Sequence, residues 1–252
     1  MPAPVTPLLR SPAAGRRTVQ LVVGLVLYAA SIALLVHPAL GNMPWDVLSQ
    51  GISRQVGWSL GTITILVSVV VLLLWVPLRQ RPGLGTVANV VVIGVLVDPF
   101  LALLARLPDD LSLGWRLALT ATGILLNGVA TACYIGTRLG PGPRDGLMTG
   151  LVARTGWSVR LVRTSIEAVV VLGGWLLGGT VGWATLAYAV AIGPLVHALL
   201  PRFTVAGVDA ATPAPPATGG AAAAGQGAAG QQDGAAGPAG PDDAVLIAQT
   251  GR

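Results

Sequence analysis

This sequence has few charged residues. Asp, Glu, Lys and Arg make up 10% of its 252 residues, and apolar residues make up 53%. Soluble domains carry roughly 25% charged residues. A chain so poor in charge cannot coat a globule of its size with polar groups, so a lipid bilayer is expected to cover much of its surface. The sequence therefore predicts an integral membrane protein.

Lysine is missing, and cysteine and histidine nearly so. All basic residues are arginines, and the net charge of +5 is scattered along the chain. This pattern does not form the clustered basic face that nucleic-acid binding requires. Cys133 is the single cysteine, which excludes an intrachain disulfide and a cysteine-rich metal site. Two histidines without a paired carboxylate motif do not make a zinc site, so neither a metal nor a cofactor is predicted.

The usual catalytic motifs are missing as well. The chain contains no Gly-x-x-x-x-Gly-Lys phosphate loop, no nucleophile elbow and no His-Glu-x-x-His helix. The Gly140-x-Gly142 pair does not follow a predicted strand and so does not indicate a dinucleotide site. We therefore do not expect an enzyme.

Six apolar runs have about the 20 residues that a transmembrane helix needs. The first is longer than the roughly 7–15 residues of a signal-peptide core, so it is interpreted as a membrane span. Residues 1–18 are rich in Pro, Ala and Arg, residues 204–252 are rich in Ala, Gly, Pro and Gln, and both segments are predicted to be disordered. The predicted spans are Val19–Leu40, Leu60–Leu78, Thr86–Arg106, Trp115–Thr137, Val159–Gly179 and Gly182–Leu200.

A short amphipathic helix is predicted between the first and second spans. Pro44 suits the first position of a helix, and Asp46 suits its first turn because the helix dipole is positive there. Apolar residues follow at helical spacing. This segment is expected to lie at the membrane interface or to dip into the membrane.

The same segment occurs a second time between the fourth and fifth spans. Gly41 and Gly140 mark the two copies, so the offset is 140 − 41 = 99 residues. This repeat predicts two related halves, 19–106 and 115–203. Each half holds three spans, and because three is odd the second half must be inverted in the membrane. The matched loop pairs are Gly41/Gly140, Pro44/Pro143, Asp46/Asp145, Leu48/Leu147, Gly51/Gly150, Gly57/Gly156, Trp58/Trp157 and Ser59/Ser158.

The arginines predict the orientation. Under the positive-inside rule they place both termini in the cytoplasm of a plasma-membrane protein, with Asp46 outside and Asp145 inside. The outside segments then hold Arg54, Arg106 and Arg116. The inside segments hold Arg10, Arg16, Arg17, Arg79, Arg81, Arg138, Arg144, Arg154, Arg160, Arg163, Arg202 and Arg252.

With these two loops the chain resembles the YczE-like family of bacterial integral membrane proteins, which is similar to the YitT-type membrane proteins. The resemblance covers about residues 20–203 and rests on Gly-Asn-Met-Pro-Trp-Asp at 41–46 and Gly-Pro-Gly-Pro-Arg-Asp-Gly-Leu-Met at 140–148. It implies a cell-membrane protein and assigns no activity. The matching motif positions are Gly41, Pro44, Asp46, Gly140, Pro143, Asp145 and Gly146.

Glu167 is the first candidate for a substrate or coupling site. It lies about two helical turns inside the fifth span, where a carboxylate usually faces a bundle interior or a wet cavity. Arg163 and Arg160 precede it by four and seven residues and share its helix face. The functional interpretation is a proton- or substrate-coupled ion pair. The structural one is that Arg163 neutralises Glu167 while the arginines reach the interface.

Two further pairs of candidates are related by the repeat. Asp46 and Asp145 are either a pair of gates near a cavity or carboxylates that stabilise helix N-termini. Asp98 has His197 as its counterpart, since 197 − 98 = 99. These two residues are either a proton relay or interfacial groups.

Two functions remain open at this stage. The repeat and Glu167 favour a small permease for a solute that the sequence does not identify. The small number of polar residues in the spans favours a non-transporting membrane protein that binds or regulates a partner. A homodimer is expected in the first case, because six helices are few for a self-contained pathway. A water-accessible Glu167 would favour transport, and a dry, fully paired one would favour the alternative.

Overall fold

The computed structural model describes residues 14–108 and 110–205, and all regular structure in these two stretches is helical. Most of the two tails that were predicted to be disordered, residues 1–13 and 206–252, lies outside the described residues. The helices are α1 (Ala14–Val36), α2 (Pro44–Val56), α3 (Leu60–Trp75), α4 (Leu84–Leu104), α5 (Leu113–Gly136), α6 (Pro143–Thr155), α7 (Val159–Leu176) and α8 (Trp183–Phe203).

Each predicted span coincides with a helix, but the first one begins earlier than expected. Helix α1 starts at Ala14, so the prediction of disorder up to residue 18 is wrong for its last five residues. The Arg17 side chain is 1% exposed, and its Nε and Nη2 donate to the Thr137 carbonyl at 2.9 and 2.6 Å. Because that carbonyl follows the end of α5 and has no partner within the helix, the contact satisfies it and orders the first turn of α1.

Fewer helices than the six predicted spans are long and apolar enough to cross a bilayer. Among the described residues, α1, α4, α5 and α8 are long and apolar enough to cross a bilayer, and the bent pair α2–α3 could supply a fifth span. Helix α3 has 16 residues, which gives about 24 Å at 1.5 Å per residue. Helix α7 carries Arg160, Arg163 and Glu167. The structure is therefore that of an all-helical membrane protein with four or five clear spans.

The two short helices are largely buried at their N-terminal ends and exposed at their C-terminal ends. In α2 the first four residues are all buried, and the axis turns by 117° into α3. The turn is made at Gly57, whose φ of 77° favours glycine. Gly51 of α2 lies against Gly174 of α7, where an added Cβ would be 2.9 Å from the Leu177 side chain. The N-terminal half of α2 is therefore packed against α7, and its position relative to the membrane stays a prediction.

The helices form two sets of four with a constant offset. The first residues of α1, α2, α3 and α4 lie 99 positions before those of α5, α6, α7 and α8 (14/113, 44/143, 60/159 and 84/183). Every residue with positive φ in the described chain has a counterpart at the same offset. These pairs are Ala39/Arg138, Gly41/Gly140, Gly57/Gly156 and Arg79/Gly178.

Helices α1 and α5 run antiparallel. Arg17 near the start of α1 binds the carbonyl after the end of α5, and Arg116 near the start of α5 binds the Pro38 carbonyl after the end of α1 at 2.9 Å. The two contacts are equivalent under the repeat, since 17 + 99 = 116 and 38 + 99 = 137. The sets of helices are thus related by an approximate two-fold axis at which α1 meets α5.

Backbone contacts between the halves are exchanged in the same way. The Ala184 amide donates to the Leu40 carbonyl at 3.1 Å, and the Gly85 amide donates to the Leu139 carbonyl at 2.9 Å. The two hydrogen bonds are equivalent under the repeat, since 184 − 99 = 85 and 40 + 99 = 139. Such a reciprocal exchange is what a two-fold relation between two surfaces requires.

Candidate functional site

The N-termini of α2 and α6 meet in the interior of the protein. The Arg144 guanidinium carbon lies 5.3 Å from the centre of the Trp45 ring, within the range of a cation–π contact. Its Nη2 lies 3.3 Å from Asp46 Oδ1. Trp45 and Arg144 occupy equivalent positions, since 45 + 99 = 144. Two equivalent residues that touch each other lie next to the two-fold axis, so this contact marks the centre of the molecule.

Local sequence explains why both helices begin here. Pro44 and Pro143 are the first residues of α2 and α6, where proline has no hydrogen bond to lose. Asp46 and Asp145 lie in the first turns, where the positive ends of the helix dipoles stabilise carboxylates.

Asp46 is deeply buried and only partly satisfied. It is 1% exposed, and its Oδ2 has no hydrogen-bond partner in the described chain. Its Oδ1 holds Arg144. A buried ion pair of this kind is costly to break, because removing one partner leaves the other charge uncompensated.

Asp145 is held by a tyrosine of α5. Tyr134 Oη donates to Asp145 Oδ2 at 2.6 Å, and Tyr134 is 5% exposed. The Tyr134 ring packs edge-on against Tyr28 of α1, with 6.2 Å between ring centres and 72° between planes. The antiparallel pair α1–α5 thus supplies two aromatic rings to the wall of the site.

A cavity of about 110 Å³ opens beside this centre. On the α7 side, Arg163 Nε donates to Glu167 Oε1 at 2.8 Å, and the two side chains are 27% and 32% exposed. On the α8 side, Tyr188 Oη donates to Asn127 Oδ1 at 2.9 Å. Glu167 is therefore paired with Arg163 and also lines this cavity.

A second cavity, of about 50 Å³, lies on the other side of the axis. Four residues line both cavities, namely Tyr28, Tyr134, Arg144 and Asp145. Much of the remaining wall of the smaller cavity is related by the repeat to the wall of the larger one. Four such pairs, with the smaller cavity first, are Thr64/Arg163, Ser68/Glu167, Asn89/Tyr188 and Ile93/Ile192, each 99 residues apart. The two cavities are thus counterparts with different chemistry.

The structure brings together four of the residues predicted from sequence. Asp46, Asp145, Arg163 and Glu167 lie in or beside the paired cavities, around Arg144. We expected Asp46 and Asp145 on opposite sides of the membrane. Instead both reach the same centre, because α2 and α6 both point inward.

Three other candidates lie away from it. Asp98 Oδ1 accepts the Gly61 amide at 2.9 Å, so this carboxylate holds the first turn of α3. Arg160 and His197 are exposed and line neither cavity.

The motif glycines serve packing. Gly41 and Gly140 have φ of 124° and 136°, which side chains rarely adopt. A Cβ on Gly41 would lie 2.7 Å from the Gly182 amide nitrogen, and one on Gly140 would lie 3.0 Å from the Gly83 Cα. A Cβ on Gly146 would meet the Trp75 ring.

Sequence reasoning missed the central residues of the site. Arg144 was counted as a cytoplasmic charge, and Tyr28, Tyr134 and Tyr188 were not singled out. The available signal was positional: Arg144 stands where the other copy of the motif has Trp45, directly before the shared aspartate. No group of three or more potential metal ligands from His, Cys, Asp and Glu occurs in the described ranges 14–108 and 110–205.

Comparisons with known proteins agree with a membrane protein of unassigned activity. The model of a family of unknown function, DUF6198, matches residues 15–201. An uncharacterized protein of Haemophilus influenzae is 42% identical over 183 residues, which cover 71% of this chain and 83% of the relative. The uncharacterized membrane protein YczE of Bacillus subtilis is 29% identical over 181 residues, with coverage of 71% and 83%. The uncharacterized protein YyaS of Bacillus subtilis is 26% identical over 180 residues, with coverage of 71% and 90%. No solved structure matches. The resemblance to YczE-like proteins is confirmed.

Proposed function

We propose a transport function for this chain, which belongs to the family of unknown function DUF6198. In this proposal it is a small permease whose solute binds in the larger cavity. The observation that carries the proposal is that two buried helix N-termini meet between repeat-related cavities, one of which holds the Arg163–Glu167 pair. Secondary transporters place their sites near the membrane midplane, at the interface between repeats and beside broken helices.

The proposed topology has six spans in two inverted three-helix repeats, with both termini in the cytoplasm of the plasma membrane. The antiparallel contact of α1 with α5 supports the inversion, because helices related by an axis along the membrane normal would be parallel. The constant offset of the helix starts supports the duplication. Helices α3 and α7 then cross the membrane as the second and fifth spans, although α3 is short and α7 carries charges.

The ionisable residues inside the protein support a transport function more strongly than the arrangement of the helices does by itself. Ionisable residues in membrane segments are costly and usually mark a pathway. Here five of them lie in or beside the paired cavities: Asp46, Arg144, Asp145, Arg163 and Glu167. The larger cavity has room for several water molecules, which limits the solute to a small polar molecule or ion. We propose no catalytic role for these residues.

A partner-binding membrane protein remains the second candidate because of a separate apolar groove. This groove of about 570 Å³ between α3 and α7 has walls without exposed polar surface, and Leu66, Val70, Leu74 and Val169 are among them. A helix from another protein could fill it. The paired cavities lie within one chain, so a homodimer is not needed to build them and is a separate proposal, to be measured by the mass of the purified particle.

The test uses ligand-dependent stability. The full chain, purified in detergent, is melted with a panel of small polar solutes, alongside Glu167→Gln. A solute that binds the folded state raises the melting temperature by mass action. We expect a hit that Glu167→Gln loses. Arg160→Gln is the matched control, because Arg160 is on the same helix and lines neither cavity, so it should keep the hit. A panel without hits, together with capture of a stoichiometric partner, would favour the second candidate.

A further inference from the structure

The smaller cavity has a chemistry of its own. It is lined by side-chain oxygens from five helices together with the Arg144 guanidinium. The oxygen-bearing side chains are those of Tyr28, Thr64, Ser68, Asn89, Tyr134 and Asp145. Hydroxyl, amide and carboxylate oxygens are the ligands that hard cations prefer.

One of these oxygens is buried without a partner. Thr64 is 5% exposed, and its Oγ1 makes no hydrogen bond to the residues that the structure describes. Its side chain forms part of the cavity wall. Leaving a buried hydroxyl unsatisfied costs roughly 1–3 kcal/mol, and a ligand in the cavity that binds Thr64 Oγ1 would offset that cost.

Two neutral ion pairs lie around the cavities, and one further negative charge, that of Asp145, remains. Arg144 is neutralised by Asp46 at 3.3 Å. The other ion pair that joins two described residues, Arg163–Glu167, is neutral by itself. Among the described residues Asp145 therefore has no ion-pair partner, and it is stabilised by the Tyr134 hydroxyl and by the first turn of α6. The carboxylate is partly buried, so a bound cation would offset the part of its desolvation cost that these contacts leave.

Size and charge narrow the choice of cation. A volume of about 50 Å³ accommodates one small ion with a few waters. Calcium takes 6–8 oxygen ligands, usually including several carboxylates, and magnesium keeps a rigid octahedral shell. A single carboxylate among neutral oxygens fits a monovalent ion better.

We propose that the smaller cavity binds a sodium ion between Asp145 and the hydroxyls of Thr64 and Ser68. The Tyr134 hydroxyl and the Asn89 amide are further polar groups of the wall, and Arg144, which also lines the cavity, is paired with Asp46. If the chain is a permease, this ion is its coupling ion, and that role rests on the proposed function. Binding itself does not, so it is tested without a transport assay.

A glycine at the rim provides a selective probe. A Cβ on Gly142 would lie 3.2 Å from Tyr134 Oη and 3.3 Å from Asp145 Oδ2, so it would crowd two of the proposed ligands. The φ of −62° and ψ of 159° at Gly142 are ordinary for alanine. We therefore expect Gly142→Ala to fold and to block ion binding.

The experiment melts the purified full chain in NaCl, KCl and choline chloride at one pH and one ionic strength. The expected result is a saturable rise of the melting temperature in NaCl alone. The apparent sodium affinity should fall roughly tenfold or more in Thr64→Val and Ser68→Ala, and the response should vanish in Gly142→Ala. Thr120→Val and Ser165→Ala are matched controls, since neither residue lines the cavity, and both should keep the response.

Two outcomes would overturn the proposal. Equal melting in the three salts, with Gly142→Ala no different, would show that the cavity holds only water. A melting temperature that depends on pH and not on sodium, and that loses this dependence in Asp145→Asn, would show that the cavity binds a proton in place of sodium. Either outcome leaves the solute panel and Glu167→Gln free to succeed or fail independently, because Glu167 lines only the larger cavity.

Discussion

The two cavities occupy equivalent places in a duplicated backbone and differ in what lines them. The larger has Arg163, Glu167 and Tyr188, and the smaller has Thr64, Ser68 and Asn89 at the same positions. In contrast, the elements that shape the backbone agree in both halves. Ser59 and Ser158 cap α3 and α7, accepting amides of Thr62 and Leu161 at 3.3 and 3.2 Å.

This difference separates two kinds of requirement. A glycine turn such as Gly41/Gly140 or a serine N-cap such as Ser59/Ser158 needs the same residue type in both copies, because backbone geometry determines it. A cavity wall carries no such requirement, so the residues that line the two cavities are free to differ.

The prediction with the largest expected effect is all-or-none labelling of single cysteines. It tests whether the two halves are inverted relative to each other in the membrane. Trp58 and Trp157 are equivalent, since 58 + 99 = 157, and they are 54% and 57% exposed. In a Cys133→Ala background, Trp58→Cys should react with an impermeant thiol reagent in intact cells. Trp157→Cys should react only after the cells are opened. Reaction of both in intact cells would contradict the inversion and leave two parallel halves.

The next effect compares the two ion pairs. Arg144→Gln leaves Asp46, which is 1% exposed, without its partner. It should lower the free energy of unfolding by roughly 3 kcal/mol. Arg163→Gln should lower it by less than about 1 kcal/mol, because its pair is 27% and 32% exposed.

Unfolding in mixed micelles measures both ion-pair variants. Adding Asp46→Asn to Arg144→Gln should restore part of the loss, because the uncompensated charge is then gone. Similar losses for the two arginine variants would show that the central pair is no more important to folding than the pair in the larger cavity.

The sequence predicted the scaffold better than the site, for a physical reason. Helix positions follow from apolar runs and caps, which are local, so the start of α3 at Leu60 and of α7 at Val159 agree with the prediction. Shared loop residues identified Asp46 and Asp145 in the same way. Arg144 could not be identified, because its role depends on α2 and α6 both turning inward to meet. The 117° bend between α2 and α3 is made at Gly57, which is a local signal, but the helices that the N-terminus of α2 then meets depend on the packing of the whole bundle.

The smallest expected effect tests whether the two halves carry equal backbone strain. Gly57 and Gly156 end α2 and α6 with φ of 77° and 70°, and an added Cβ at either would meet no atom within 4 Å. Gly57→Ala and Gly156→Ala should therefore each lower the free energy of unfolding by roughly 1 kcal/mol, from backbone conformation alone. Gly15→Ala, in the first turn of α1 with open space around it, is the control and should cause no loss. Because the two turns are equivalent, the losses should match to within a few tenths of a kcal/mol. A clear inequality would mean that one of the turns is held by contacts its counterpart does not have, so that the duplicated scaffold has diverged in its backbone as well as in its cavities.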